Sequence, residues 1–123
     1  MTAESLEPRE RAFMALYRAD QLRIDTVEGL TGRAERLAVG TLRHLDEIDR
    51  HIDGAAEHWT VDRMPAVDRA LLRLATYELA HEPDTPTGVI LNESVRIAKE
   101  YSTENSGRFI NGILATLSKL LRS

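Results

Sequence analysis

The chain has 123 residues, 42% of them hydrophobic, 29% charged and 5% aromatic, with no cysteine and a formal net charge of −4. That size allows one real core and not two independent ones, and the low aromatic content favours helices over a strand-rich sandwich. Without cysteine there is no disulfide framework, thiolate nucleophile or thiolate zinc site, and the acidic balance argues against a general nucleic-acid binder acting by bulk positive charge.

Met1 to Arg9 holds no apolar stretch before a small-residue cleavage site, and nothing approaches the eighteen apolar residues of a membrane span, so a cytoplasmic protein with no membrane partner is expected. Pro8 suits the first turn of a helix, and Ala12, Phe13, Leu16 and Tyr17 share one face, giving a first helix from Pro8 to Leu22. Residues 23–32 collect Asp25, Thr26, Gly29, Thr31 and Gly32 and read as a loop. Helix resumes near Arg33. The stripe Leu37, Thr41, Leu45, Ile48 and Ile52 describes one second helix ending near Gly54. Its outer face carries Arg43, Asp46, Asp49, Arg50 and Asp53, with Asp46/Arg50 and Glu47/His51 four apart, which predicts an exposed ion-pair ladder.

Thr60, after Trp59, is placed to cap a short turn, and Pro65 opens the next helix. Val67, Leu71, Leu72, Leu74, Ala75 and Leu79 are so dense that this helix should be the buried hub. Pro83 and Pro86 frame a loop, Thr87 is read as a cap, and Ile90, Leu91, Val95, Ile97, Ala98 and Tyr101 mark another helix. After a break at residues 102–107, Phe109, Ile110, Ile113, Leu114, Leu117, Leu120 and Leu121 return at helical steps. Asn111-Gly112 is in isolation a hairpin signal, but no period-two pattern follows it, so it lies inside that last helix. Glycine there costs about 1 kcal/mol relative to alanine. Either another helix packs closely on Gly112 while the Asn111 amide finds a partner, or the pair is simply tolerated. No repeat or Gly/Ser linker divides the chain, and one all-helical domain of 1–123 is expected.

Catalytic and metal motifs are sparse. His44, His51 and His58 are seven apart, roughly 10 Å along a helix, too far to share one ion, and are read as solvated. There is no phosphate-cradling loop, dinucleotide fingerprint or nucleophile elbow, so neither an enzyme nor a cofactor or metal is expected. Recognition remains. From Arg96 onward five basic residues (Arg96, Lys99, Arg108, Lys119, Arg122) face two acidic ones, a net +3 that leaves −7 for the rest. A local basic face of that kind would take a short anionic target. Asn105, Ser106, Arg108 and Phe109 lie at the amino end of the last helix, where free backbone donors favour an anion and an aromatic can stack on an unpaired base; Phe109 as plain core is the competing reading.

These residues also carry a resemblance. Asn105-Ser106 with Arg108-Phe109-Ile110-Asn111-Gly112-Ile113-Leu114 resembles the carboxy-terminal signature of the NusB family of bacterial transcription antitermination factors. Residues 59–73 with Tyr77-Glu78-Leu79 are similar to its central helix, Asn92-Glu93 and Ala98-Lys99 to the helix after it, and Arg9-Glu10-Arg11-Ala12 through Ala15-Leu16-Tyr17 to its first. The resemblance implies two small packed helical subdomains (about 1–58 and 59–123) with six or seven helices. It implies a non-enzymatic adaptor to RNA polymerase that binds the boxA element of ribosomal RNA transcripts together with NusE, a small-subunit ribosomal protein. On that pattern Asn105, Ser106 and Phe109 touch RNA and Arg9, with its neighbour Arg11, adds charge. Tyr17 and Asp68 contact NusE, and Asn111 and Gly112 are structural.

Two departures from the pattern act in opposite directions. Glu4, Ser5, Leu6, Glu7 and Pro8 stand where the family carries a run of arginines, which weakens phosphate contacts. Asn105 replaces a common Asp, which removes a negative charge beside RNA. Two other functions compete: a protein-interaction or homodimeric module without strong RNA binding, and an RNA-binding domain of the kind that precedes RNA cytosine methyltransferases, which would need a nucleotide-binding βαβ unit after Ser123.

Overall fold

The computed structural model describes residues 7–122, and Glu4, Ser5 and Leu6 of the altered amino-terminal pattern lie outside them. Six α-helices and one short 3-10 turn appear among those residues, with no strand. The helices are α1 (Pro8–Leu22), α2 (Gly32–Arg43), α3 (Leu45–Ala55), α4 (Ala66–His81), α5 (Thr87–Tyr101) and α6 (Glu104–Leu121), and the turn is Val61–Arg63. None is long and apolar enough to cross a membrane.

Helix α1 begins as its sequence dictates: Pro8 occupies the first turn and the Glu7 carboxylate accepts from the Glu10 backbone N–H at 3.2 Å. Its end relies on Arg23 in the left-handed region (φ 56°), whose N–H bonds back to Ala19 and Asp20. The expected second helix is two. His44 leaves helical geometry (φ −108°, ψ 21°) and separates α2 from α3. Leu37, Thr41, Ile48 and Ile52 are all buried across the break, so the apolar stripe runs on through it.

Helix α4 is the hub, in contact with α1, α2, α3, α5 and α6. Leu71, Leu72, Leu74 and Ala75 are essentially inaccessible, as a helix surrounded on several sides requires. It also buries Glu78, which is 0% exposed and receives both Arg9 Nε and Nη2 at 2.8 Å. A buried carboxylate without a partner would be costly, and the two-pronged guanidinium removes that cost while tying α1 to α4. Arg69 and Arg73 hold Asp20 of α1, and Arg73 also grips Asp49 of α3 with two bonds of 2.9 Å.

The ion-pair ladder expected along α3 is therefore not what forms. Asp49 reaches across to Arg73, Asp53 accepts from the Val61 N–H at 2.8 Å, and Glu47 meets His81 at 2.7 Å. That hydrogen bond from His81 holds the Glu47 carboxyl below the usual range. Interhelical partners displace local ones because a fixed partner on a neighbouring helix costs less side-chain entropy than a mobile one. Thr87 is not a cap either: it is the first residue of α5, after Pro86, and its hydroxyl accepts from Arg122.

The glycines sort differently from expectation. Gly112 and Asn111 lie on the exposed face of α6, and a Cβ at Gly112 would meet nothing within 4 Å. The close-packing reading of that pair is thus corrected: the stripe Ile110, Ile113, Leu114 and Leu117 faces inward, which turns residues 111 and 112 outward. The close approach is at Gly40, where a Cβ would run into the Tyr77 ring, and at Gly107, where a Cβ would come within 3.2 Å of Lys99 Cγ. Those two glycines let α2 approach α4 and let α6 approach α5.

Candidate functional site

Helix α6 starts at a well-made cap. Thr103 Oγ1 accepts from the Ser106 N–H at 3.1 Å, and the Ser106 hydroxyl lies 2.9 Å from that of Ser102. Capping fixes the first turn, so Asn105 projects outward while Ser106 turns in and is buried. One turn later Phe109 is half-buried, packed on the core and also lining a surface notch. Phe109 is therefore neither fully buried core nor a free surface ring.

The notch, about 220 Å³, is lined by Trp59, Pro65, Asp68, Thr103, Asn105, Ser106 and Phe109. Trp59 closes its outer side, 49% exposed, and meets Phe109 edge-on with ring centroids 6.3 Å apart and planes at 77°. Asp68, in the first turn of α4, lies beneath them, 3% exposed, with Oδ1 lacking any hydrogen-bond partner among the described residues. Burial pushes the Asp68 carboxyl up, and the neighbouring Ser106 hydroxyl pulls it part of the way down. Two aromatic rings, an amide, a hydroxyl and an acceptor thus border one small space, a combination that can hold a flat, hydrogen-bonding group.

The charged residues divide. Arg108 is exposed and Arg11 half-buried, and neither has an ion pair among the described residues. Arg9 is the correction: at 2% exposure and locked on Glu78, it has no surface to offer a phosphate. Arg96 and Arg122 are likewise occupied. Arg96 binds Glu10 and Glu93, and Arg122 donates to the carbonyls of Glu78, Leu79, Glu82 and Thr85. The basic excess at the carboxy-terminal end is therefore smaller at the surface than in the sequence.

Tyr17 lines a second, mostly apolar notch of about 280 Å³ with Phe13, Met14, Val67 and Tyr101. Phe13 carries the floor, with ring centroids 5.4 Å from Tyr101 and 6.3 Å from Tyr17. The Tyr101 hydroxyl donates to Glu10 at 3.1 Å, which fixes that ring. The two notches share the first turn of α4, since Val67 lines one and Asp68 the other. Asp68 is placed with Asn105, Ser106 and Phe109 and, at 3% exposure, offers little surface beside Tyr17. Trp59, Met14, Val67 and Tyr101 were not singled out from the sequence as site residues. Trp59 offered a signal, being the one tryptophan in a chain poor in aromatics.

Residues 3–119 match the sequence model of the NusB family. The transcription antitermination protein NusB of Lysinibacillus sphaericus (strain C3-41) is 35% identical over 122 residues, covering 92% of this chain and 95% of that protein. Among solved structures, T. maritima NusB superposes with a TM-score of 0.78 at 38% identity, covering 91% of this chain and 88% of the other. A chain from the crystal structure of antitermination factors NusB and NusE in complex with dsRNA gives a TM-score of 0.78 at 28% identity, with coverage of 92% and 94%.

Proposed function

The chain belongs to the NusB family of non-catalytic transcription antitermination factors, and from that premise we propose that it binds boxA RNA of ribosomal RNA transcripts together with NusE. It acts as a cytoplasmic adaptor to the RNA polymerase antitermination complex, working as one domain whose halves, 1–58 and 59–123, meet along α4. The observation that carries this reading is the notch at the amino end of α6. An unstacked base stacks against the Trp59–Phe109 pair, Asn105 and Ser106 supply hydrogen-bonding groups, and Arg108 with Arg11 supplies charge toward phosphate. The relative solved with NusE and dsRNA supports both partners. The apolar notch around Tyr17 is the surface for NusE, adjoining the RNA through Val67 and Asp68.

The test is titration of a short boxA RNA, alone and with NusE, at two salt concentrations, following Trp59 fluorescence. Phe109→Ala should weaken RNA binding by about 1–3 kcal/mol, the usual worth of one stacked base. Phe109 is only half-buried, so truncation should cost about 2 kcal/mol of stability, below the 3–5 typical of a fully buried Phe, and leave the domain folded. Unchanged RNA affinity per folded molecule, or no salt-dependent binding with NusE present, would overturn the assignment in favour of a protein-interaction or homodimeric module.

A further inference from the structure

His44, at the break between α2 and α3, Glu47, one turn into α3, and His81, at the end of α4, bring two imidazoles and a carboxylate together. Their ligand atoms all lie within 4.8 Å of one another. His81 Nε2 is 2.7 Å from Glu47 Oε2, and the rings of His44 and His81 stack with centroids 4.0 Å apart and planes at 21°. The wall behind them is fixed: Tyr77 stacks on His81 at 5.5 Å, and its hydroxyl is held by Glu82 at 3.1 Å. All three groups are half-buried, so they are ordered by their neighbours yet reachable from solvent.

We propose that His44, Glu47 and His81 form a binding site for a divalent first-row transition ion, with Zn²⁺ the best match. Two neutral imidazole nitrogens and one carboxylate oxygen are a zinc donor set, and they leave a fourth position for water. Ca²⁺ and Mg²⁺ prefer all-oxygen surroundings and would not compete. Bonds of about 2.0–2.2 Å to a tetrahedral ion separate the ligand atoms by roughly 3.4 Å. The pair His81–Glu47 must open, the rest close by shifts on the order of 1 Å, and the His44 ring turn out of its stack on His81 so that both in-plane nitrogen lone pairs meet one ion, changes that side-chain rotation provides. Histidine spacing along the chain hides this site, because His44 finds its second imidazole on α4 and not at His51 or His58. A bound ion would join the α2–α3 break to the carboxy-terminal end of the central helix, independently of any RNA binding.

Calorimetric titration of the full chain with ZnCl₂, paired with thermal melts, tests the site. Saturable one-to-one binding with a raised melting temperature is expected. Glu47→Gln and His81→Ala should each weaken it by more than about tenfold, the loss that removing even an outer-shell partner brings. His51→Ala and His58→Ala should leave it unchanged, and Co²⁺ should give a visible four-coordinate spectrum that disappears in Glu47→Gln. Absence of saturable binding, or binding that survives both Glu47→Gln and His81→Ala, would overturn the proposal. Glu47→Gln keeps the size and shape of the side chain, so it keeps the test valid if His81→Ala folds poorly.

Discussion

Replacing Arg9 by Met separates two roles that the family pattern and the structure assign to the same guanidinium. Arg9 Nε and Nη2 both lie 2.8 Å from Glu78, whose side chain is 0% exposed, so the substitution leaves an inaccessible carboxylate without its main partner. Removing one member of such a pair typically costs about 3–5 kcal/mol. Arg33 Nη2 stands 3.5 Å from Glu78 and can take over part of the interaction, which puts the expected loss near the lower end, about 3 kcal/mol. At about 4 °C per kcal/mol for a domain of this size, the melting temperature should drop by about 12 °C. Urea unfolding with an unchanged m-value would confirm that the loss is in stability. A double substitution, Arg9→Met with Glu78→Leu, should recover most of it, because no buried charge is then stranded. The salt dependence of RNA binding should stay as in the parent, since a lost phosphate contact would lower the slope by about 0.7–0.9. A variant within about 0.5 kcal/mol of the parent, with a shallower salt slope, would refute the reasoning and return Arg9 to the RNA.

Two glycines predict opposite outcomes: Gly112→Ala on the exposed face of α6 should stabilise by about 1 kcal/mol, whereas Gly40→Ala, forced against the Tyr77 ring, should cost about 1–3 kcal/mol, both read by chemical denaturation. Asp68→Asn should raise stability at neutral pH by about 1 kcal/mol, because an amide removes the burden of a buried, unpaired carboxylate oxygen. Its folded carboxyl titrates above its unfolded one, so the native state binds more protons between the two and the parent's stability falls as pH rises through that window. Unfolding curves across acid pH should show that slope in the parent and lose it in Asp68→Asn.

The helices were legible where periodicity and punctuation agree. Pro8 and the dense apolar run of α4 locate two helices with their boundaries nearly right, and the returning helical steps find α6, which starts at Glu104, inside the break expected over 102–107, because the Thr103 cap and not the apolar pattern sets its first turn. The break at His44 was not legible, since the glycine four residues before it, Gly40, lies within α2 and the stripe from Leu37 to Ile52 keeps its period through the break. The site was half legible. A capped helix start with Asn105, Ser106 and Phe109 can be read along one segment, but its other wall, Trp59 and Asp68, comes from residues about forty positions earlier. Arg9 looked like a surface charge because nothing local distinguishes a solvated arginine from one that finds Glu78 sixty-nine residues away. Gly112 drew attention through its dipeptide, while Gly40, the glycine under steric demand, sits in an unremarkable context.

Arg122 gives the chain an order of completion. Its guanidinium caps the last carbonyls of α4 at Glu78, Leu79 and Glu82, partners 40–44 residues earlier in the sequence. Synthesis at about 5–20 residues per second places that cap about 2–9 seconds behind the groups it serves. Throughout that interval the last carbonyls of the central helix, on which the other five pack, lack that cap. The same end carries Glu78, the partner of Arg9. The end of the hub therefore reaches its final form only after α6 has been made, when Arg122 closes over it.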